Sequence, residues 1–292
     1  MENSAVTNLE RNKGAAKVQR TMIDILIALA PAVVAAIVFF GLQAAVIIAV
    51  CVGTSVLAEF LFNIICKREQ TAGDLTAAVT GLLLALTLST NATIWHCIIG
   101  SLFAIVLVKC AFGGLGHNIV NPAVAARVML LIAFPEGAGS AEGALPNLLD
   151  VLLSNRGGAI GEACVAALVL GGIYLLVRQV ISWQIPAVYV AGVFLLSFAF
   201  TGNVIEATHH ILSGCLVLGA VFMATDPVTS PKNGIGKIIF ALGCAVMTAL
   251  ISFFGEYSGK GVFFAILLMN ILCPYIDKLF EKKQKSEEVA ES

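Results

Sequence analysis

Two short runs in this 292-residue chain hold most of the side chains that could do chemistry in apolar surroundings. One is Phe222–Pro231, in which Thr225, Asp226, Thr229 and Ser230 gather a carboxylate and three hydroxyls where Pro227 must stop a helix. Such oxygens suit a cation or a hydrogen-bonding heterocycle. The other, earlier in the chain, is Gly113–Ala123, where Gly113, Gly114, Gly116, Asn118, Asn121 and Pro122 break an apolar pattern. Asn118 and Asn121, three apart, offer amides to a planar ring or a cation. A helix-end carboxylate in water, for Asp226, and a turn between two spans, for the asparagines, are the plainer alternatives.

Other ionisable residues within apolar stretches are Asp24, Glu59, Lys109, Glu162 and Asp277. Asp24, Lys109 and Asp277 lie near the ends of their stretches, where snorkelling to the interface is expected. Glu59 is deeper and must face other helices, with a partner that the sequence does not name. His96 and the adjacent His209 and His210 make no metal pattern, since neighbouring helix residues point apart. The eight cysteines lack a Cys-x-x-Cys pair and read as small buried hydrophobes, so no iron–sulfur site is expected within the chain. Phosphate-loop, zinc-protease and nucleic-acid-binding signatures are absent. No residue is assigned a catalytic or metal-ligating role.

What must position these groups is membrane helix. Apolar residues make up 59% of the chain and charged residues 12%, which defines an all-α polytopic membrane protein rather than a soluble domain. Residues 1–21 and 279–292 read as cytoplasmic tails around a membrane domain over 22–278. Spans are expected near 22–41, 44–65, 74–90, 94–112, 121–134, 160–180, 185–201, 207–224, 236–254 and 260–277, ten in all. With the N-terminus inside, fifteen of the Lys and Arg residues fall at cytoplasmic ends and only Arg156 and Lys260 outside, which puts both termini in the cytoplasm. Both polar runs fall on that side. Five spans per half would make the halves an inverted repeat, as in transport folds with a site between the halves.

Several runs resemble one known family: Thr76–Ala85, Gly113–Ala126, Gly161-Glu162, Ser182–Pro186, Phe222–Pro231, Gly261–Asn270 and Pro274–Asp277. The chain resembles the D subunit of Rnf-type ferredoxin:NAD oxidoreductases, similar in turn to the B subunit of the sodium-pumping NADH:quinone reductase. The resemblance implies a membrane subunit of a redox pump in a bacterial or archaeal inner membrane. Its partners would be flavin and iron–sulfur subunits, Na+ or H+, and the lipid bilayer, with no nucleic acid. It also implies a flavin, FMN or riboflavin, with Asn118, Asn121, Thr225 and Asp226 as contacts, and an ion path that includes Asp277; Asp226 and Glu59 are the further ionisable candidates for that path.

One departure matters. The family links FMN to a Thr in a segment like Ser-Gly-Ala-Thr-Pro-Leu, whereas the loop here reads Pro135–Pro146, with Leu145 at the Thr position or the segment deleted. No Thr occurs between Thr93 and Thr201, so any flavin is expected to be non-covalent. A solute channel or secondary transporter on the same scaffold, or a cofactor-free anchoring subunit, are the competing readings.

Overall fold

The computed structural model describes residues 2–114, 116–134, 152–153, 159–212, 215–254 and 260–291, and all regular structure among them is helical. In chain order the helices are α1 (Glu2–Phe40), α2 (Leu42–Ile65), α3 (Thr76–Thr87), α4 (Ile94–Cys110), α5 (Pro122–Ala133) and α6 (Val165–Val177). They continue as α7 (Gln184–Thr201), α8 (Val204–Leu212), α9 (Leu216–Met223), α10 (Gly234–Phe254) and α11 (Gly261–Glu291). Five are long and apolar enough to cross a membrane: α1 over Gly14–Phe40, α2, α7, α10, and α11 over Gly261–Phe280. The pair α8 and α9, bent by 59°, makes a sixth if counted as one broken span. Helices α3, α4, α5 and α6 are apolar but shorter, so the long spans number five or six against the ten expected. The loop 135–146 with Leu145 lies outside the described residues.

Helix α2 packs on α3 and α4, α10 packs on α7 and α11, α1 lies against α6, and α5 lies against α11. Lipid tails are as apolar as Leu, so association in a bilayer comes from close van der Waals fit rather than from expulsion of water. Small residues provide that fit along α1, where Ala28, Ala32 and Ala36 are buried. On α6, Gly171 comes so near that a Cβ there would sit 2.1 Å from the Ala28 carbonyl oxygen. Large apolar side chains such as Val38, Leu42 and Phe254 face outward, as a lipid-exposed surface requires.

Two helices do not finish as α-helices. Phe103–Cys110, closing α4, and Gly219–Met223, closing α9, are π-helical, with Ala111 N–H donating to Val106 O (2.9 Å) and Ala224 N–H to Gly219 O (2.7 Å). Each π segment leads straight into one of the two polar runs.

Two charges fall elsewhere than the sequence suggests. Lys109 does not snorkel: it is 1% exposed, because the π turn aims it at α2 and α3. Arg127, counted above among the cytoplasmic charges, is buried on α5 with its guanidinium 5.7 Å from the centre of the Phe263 ring. The inside bias rests on the other thirteen of the fifteen.

A candidate ligand cavity between two helix breaks

After its π turn, α4 gives way to Gly113, Gly114 and Gly116, all with positive φ (119°, 93° and 86°), a path closed to most side chains. The chain re-enters helix at Asn121, the N-cap of α5, whose Oδ1 accepts from Ala123 N–H (3.0 Å) and Val124 N–H (3.3 Å). Pro122 follows at the first helical position, where a missing N–H costs nothing. The second break follows the same logic. After Met223, Asp226 Oδ1 accepts from Val228 N–H at 3.0 Å, closing a turn ahead of the loop to α10.

The two breaks hold each other. Asn121 Nδ2 donates to Met223 O and to Asp226 Oδ2, both at 3.3 Å. Asn270 of α11, fully buried, bridges them from below: its Oδ1 accepts from Asn121 N–H (3.1 Å) and its Nδ2 donates to Thr229 O (3.0 Å). Three backbone groups freed by the broken helices, Asn121 N–H, Met223 O and Thr229 O, thereby find side-chain partners.

Between the breaks, the middle of α1 and the ends of α3 and α6 lies a cavity with an empty volume of ≈ 790 Å³ including its open mouth. Asn118, Asn121, Thr225 and Asp226, singled out from the sequence, all line it, with Lys109, Thr76 and Thr80. Its walls are otherwise mostly apolar, from Val79, Leu83, Val221 and Phe222 among others. Asn118 Oδ1 is buried with no hydrogen-bond partner among the described residues. An orphan acceptor on a residue that lines a cavity calls for a donor N–H or O–H nearby. An apolar slot with a few convergent polar groups is the usual make-up of a cofactor site.

The remaining sequence candidates sit apart from this wall. Glu59 lies behind it, 2% exposed, its Oε1 accepting from Lys109 Nζ (2.8 Å) and from Thr71 Oγ1 (2.7 Å). Lys109 is therefore the partner that the sequence left unnamed. Asp277 is not part of the cavity lining: its Oδ1 accepts from Lys232 N–H at 3.2 Å in the loop before α10. Asp24 pairs with Arg178 (3.3 Å) and accepts from Tyr174 Oη (2.9 Å), tying α1 to the end of α6. His96 joins Thr93 in capping α4, and no group of three or more His, Cys, Asp or Glu able to hold a metal occurs among the described residues. Sequence reasoning missed Asn270 and misplaced Lys109. The rule that an intramembrane charge is functional by default was the signal available for Lys109.

Fold and site together define a multi-pass helical membrane protein whose broken helices meet around a polar-ended cavity. The chain belongs to the NQR2, RnfD, RnfE family, which it matches over residues 11–286. It is 37% identical over 286 residues, 90% of this chain and 89% of the relative, to the D subunit of the Na(+)-translocating ferredoxin:NAD(+) oxidoreductase complex of Acetobacterium woodii. It is 36% identical, over 89% of each chain, to the D subunit of the proton-translocating ferredoxin:NAD(+) oxidoreductase complex of Clostridium ljungdahlii. A third relative, the D subunit of the ion-translocating oxidoreductase complex of Halorhodospira halophila, is 34% identical over 88% of each.

Proposed function

We propose that this chain is the D subunit of a Rnf-type redox pump in a bacterial inner membrane. With flavin and iron–sulfur subunits it couples electron transfer between ferredoxin and NAD to the movement of Na+ or H+. The family and the names of the relatives support the assembly. The observation that carries the role within it is the cavity between the two breaks, with its orphan acceptor at Asn118.

A flavin held there would supply one- and two-electron chemistry, and the protein would supply orientation and electrostatics. Asn118, whose Oδ1 has no partner among the described residues, supplies an acceptor for the imide N–H of such a ring, and Lys109 keeps one ammonium hydrogen, beyond those given to Glu59 and Thr76, for a ring carbonyl. Asn121 and Asp226 fix the rim, since both are already engaged with each other. Leu145 provides no hydroxyl, so the flavin is non-covalent.

We read the bundle as ten spans with both termini cytoplasmic. The five long helices, the bent pair and the four shorter apolar helices add up to that number. Five plus five is supported by the packing: the first helix of each half meets the other (α1 on α6), and so does the last (α5 on α11). The third span of each half also holds a non-glycine residue with positive φ just before an apolar helix, Leu75 (66°) before α3 and Cys215 (59°) before α9.

Flavin analysis of the isolated chain tests the cofactor. Denaturation should release flavin into solution, ultraviolet light should show no fluorescent band at this chain's mass, and Asn118→Leu should abolish the released flavin. A fluorescent band would refute non-covalent binding. A wild-type chain without flavin would leave the anchoring role.

A further inference from the structure

Behind the cavity wall, where α2, α3 and α4 meet, side-chain oxygens gather around one buried carboxylate. Glu59 is buried, and only one of its oxygens is used: Oε1 accepts from Lys109 and Thr71, whereas Oε2 has no partner among the described residues. Ser55 precedes Glu59 by one helical turn, on the same face of α2, and its hydroxyl is also buried and unpartnered among the described residues. Lys109 Nζ is held against the cluster by Glu59 Oε1 and Thr76 Oγ1. Thr76 Oγ1 in turn donates to Asp74 Oδ1 (2.5 Å), and Thr71, exposed, takes Asn63 Nδ2 (3.0 Å). The other charged or titratable side chains at this end of α2 are the exposed Cys66, Lys67 and Glu69, then Arg68, whose guanidinium donates to Cys110 O (3.0 Å), and Cys110 itself.

An unused oxygen of a carboxylate and an unused hydroxyl one helical turn away are an odd thing to bury, because an orphan polar group forfeits its bonds to water. They make sense as ligands of a hard monovalent cation, which takes oxygen donors of this kind. The ammonium of Lys109 is then a cation on a tether that balances the carboxylate when no free ion is present. Lys109 also lines the ligand cavity, so one residue belongs to both places.

We propose that Glu59, Ser55, Thr71 and Thr76 form a monovalent-cation site that Lys109 fills from within. Lys109 exchanges for Na+ or H+ when negative charge arrives in the adjacent cavity. Electron arrival draws the ammonium toward the cavity, Glu59 loses its counter-charge, and an external cation replaces it, entering past exposed Thr71. The net charge of the cluster stays constant, which is what ties one electron to one cation. The site itself stands on the buried cluster alone. Its trigger rests on the flavin reading given above.

The test uses the purified complex and its thermal midpoint in two titrations. One raises NaCl with choline chloride holding ionic strength constant; the other lowers pH without Na+. Lys109→Met strands a bare carboxylate, so its midpoint should rise with Na+ if the site takes Na+, or only with falling pH if it takes protons. Glu59→Gln added to Lys109→Met should remove the response, and Ser55→Ala added instead should shift the Na+ response to at least about tenfold higher Na+. Wild type should respond only after reduction with dithionite. A Lys109→Met complex indifferent to both titrations overturns the site, as does a response that persists with Glu59→Gln. An oxidised wild-type complex with a response that Glu59→Gln removes overturns the exchange, because the cation then needs no departure of Lys109. Should Lys109→Met not assemble, Lys109→Gln in the same titrations decides. A response in Lys109→Met together with none on reducing wild type keeps the site and refutes its trigger.

Discussion

Replacing Asn121 with Ala removes three things at once, and the structure allows each to be sized. The N-cap of α5 loses its acceptor for Ala123 and Val124 N–H, worth about 1 kcal/mol. Met223 O and Asp226 Oδ2 lose a buried donor, each contact being long at 3.3 Å and worth about 1 kcal/mol. The bond from the residue 121 N–H to Asn270 survives, because it is a backbone donor. The sum is about 3 kcal/mol, which at about 2 °C per kcal/mol for a chain of this size lowers the thermal midpoint by about 6 °C. Asn121→Ser restores the cap alone and should recover about 2 °C of that loss. Fluorescence-detected size exclusion after graded heating reads both. A drop below about 2 °C for Asn121→Ala would mean that the breaks are not joined through this side chain. Equal losses for Ala and Ser would mean that the cap contributes nothing.

Asp226→Asn removes a carboxylate at the cavity rim while keeping its shape, so the complex should assemble at wild-type level. Ion-coupled electron transfer should fall about tenfold, the scale of one charge-assisted contact, and pumping at the normal rate in vesicles would reduce Asp226 to a helix-end residue. Gly171→Ala forces a Cβ against the Ala28 carbonyl and should cost about 2 kcal/mol, whereas Gly53→Ala on α2 meets open space and should stabilise by about 0.5–1 kcal/mol. Equal midpoints would place the α1–α6 contact elsewhere. The proposed orientation, both termini inside, predicts that a cysteine at position 147 reacts with an impermeant reagent from outside and one at position 283 only from inside. Outside reaction at 283 would overturn the orientation.

How much of this was legible in the sequence depended on whether a signal was local. Asn118, Asn121, Thr225 and Asp226 stand out because Gly and Pro beside them cannot continue a membrane helix, and their meeting in one cavity follows from the two halves packing together. The partnership of Glu59 and Lys109 spans two helices, and no spacing within either one encodes it. Lys109 was misplaced for a physical reason. Counting residues to a helix end assumes α geometry, and the π turn over Phe103–Cys110 changes both its depth and its direction. Arg127 misled the charge count in the same way, since a cation sheltered under an aromatic ring need not sit at an interface. The long spans number fewer than expected because helix breaks, caps and short 3₁₀ turns take residues that hydropathy alone assigns to spans.

The two π segments have a bearing on descent. A π turn is what one inserted residue does to an α-helix that otherwise stays in place, with the surplus absorbed locally. Removing that residue from 103–110 or from 219–223 would restore α geometry and re-aim the side chains inside the segment, Lys109, Val221 and Phe222 among them, while the helix on either side kept its register. A lineage that lost that residue would keep a well-formed bundle of apolar helices while the cavity groups of that segment pointed elsewhere. The heritable trait is then a length rather than a letter. Two descendants could share every polar residue of the cavity and differ in whether those residues still meet, and only a residue-by-residue count through α4 and α9 would tell them apart.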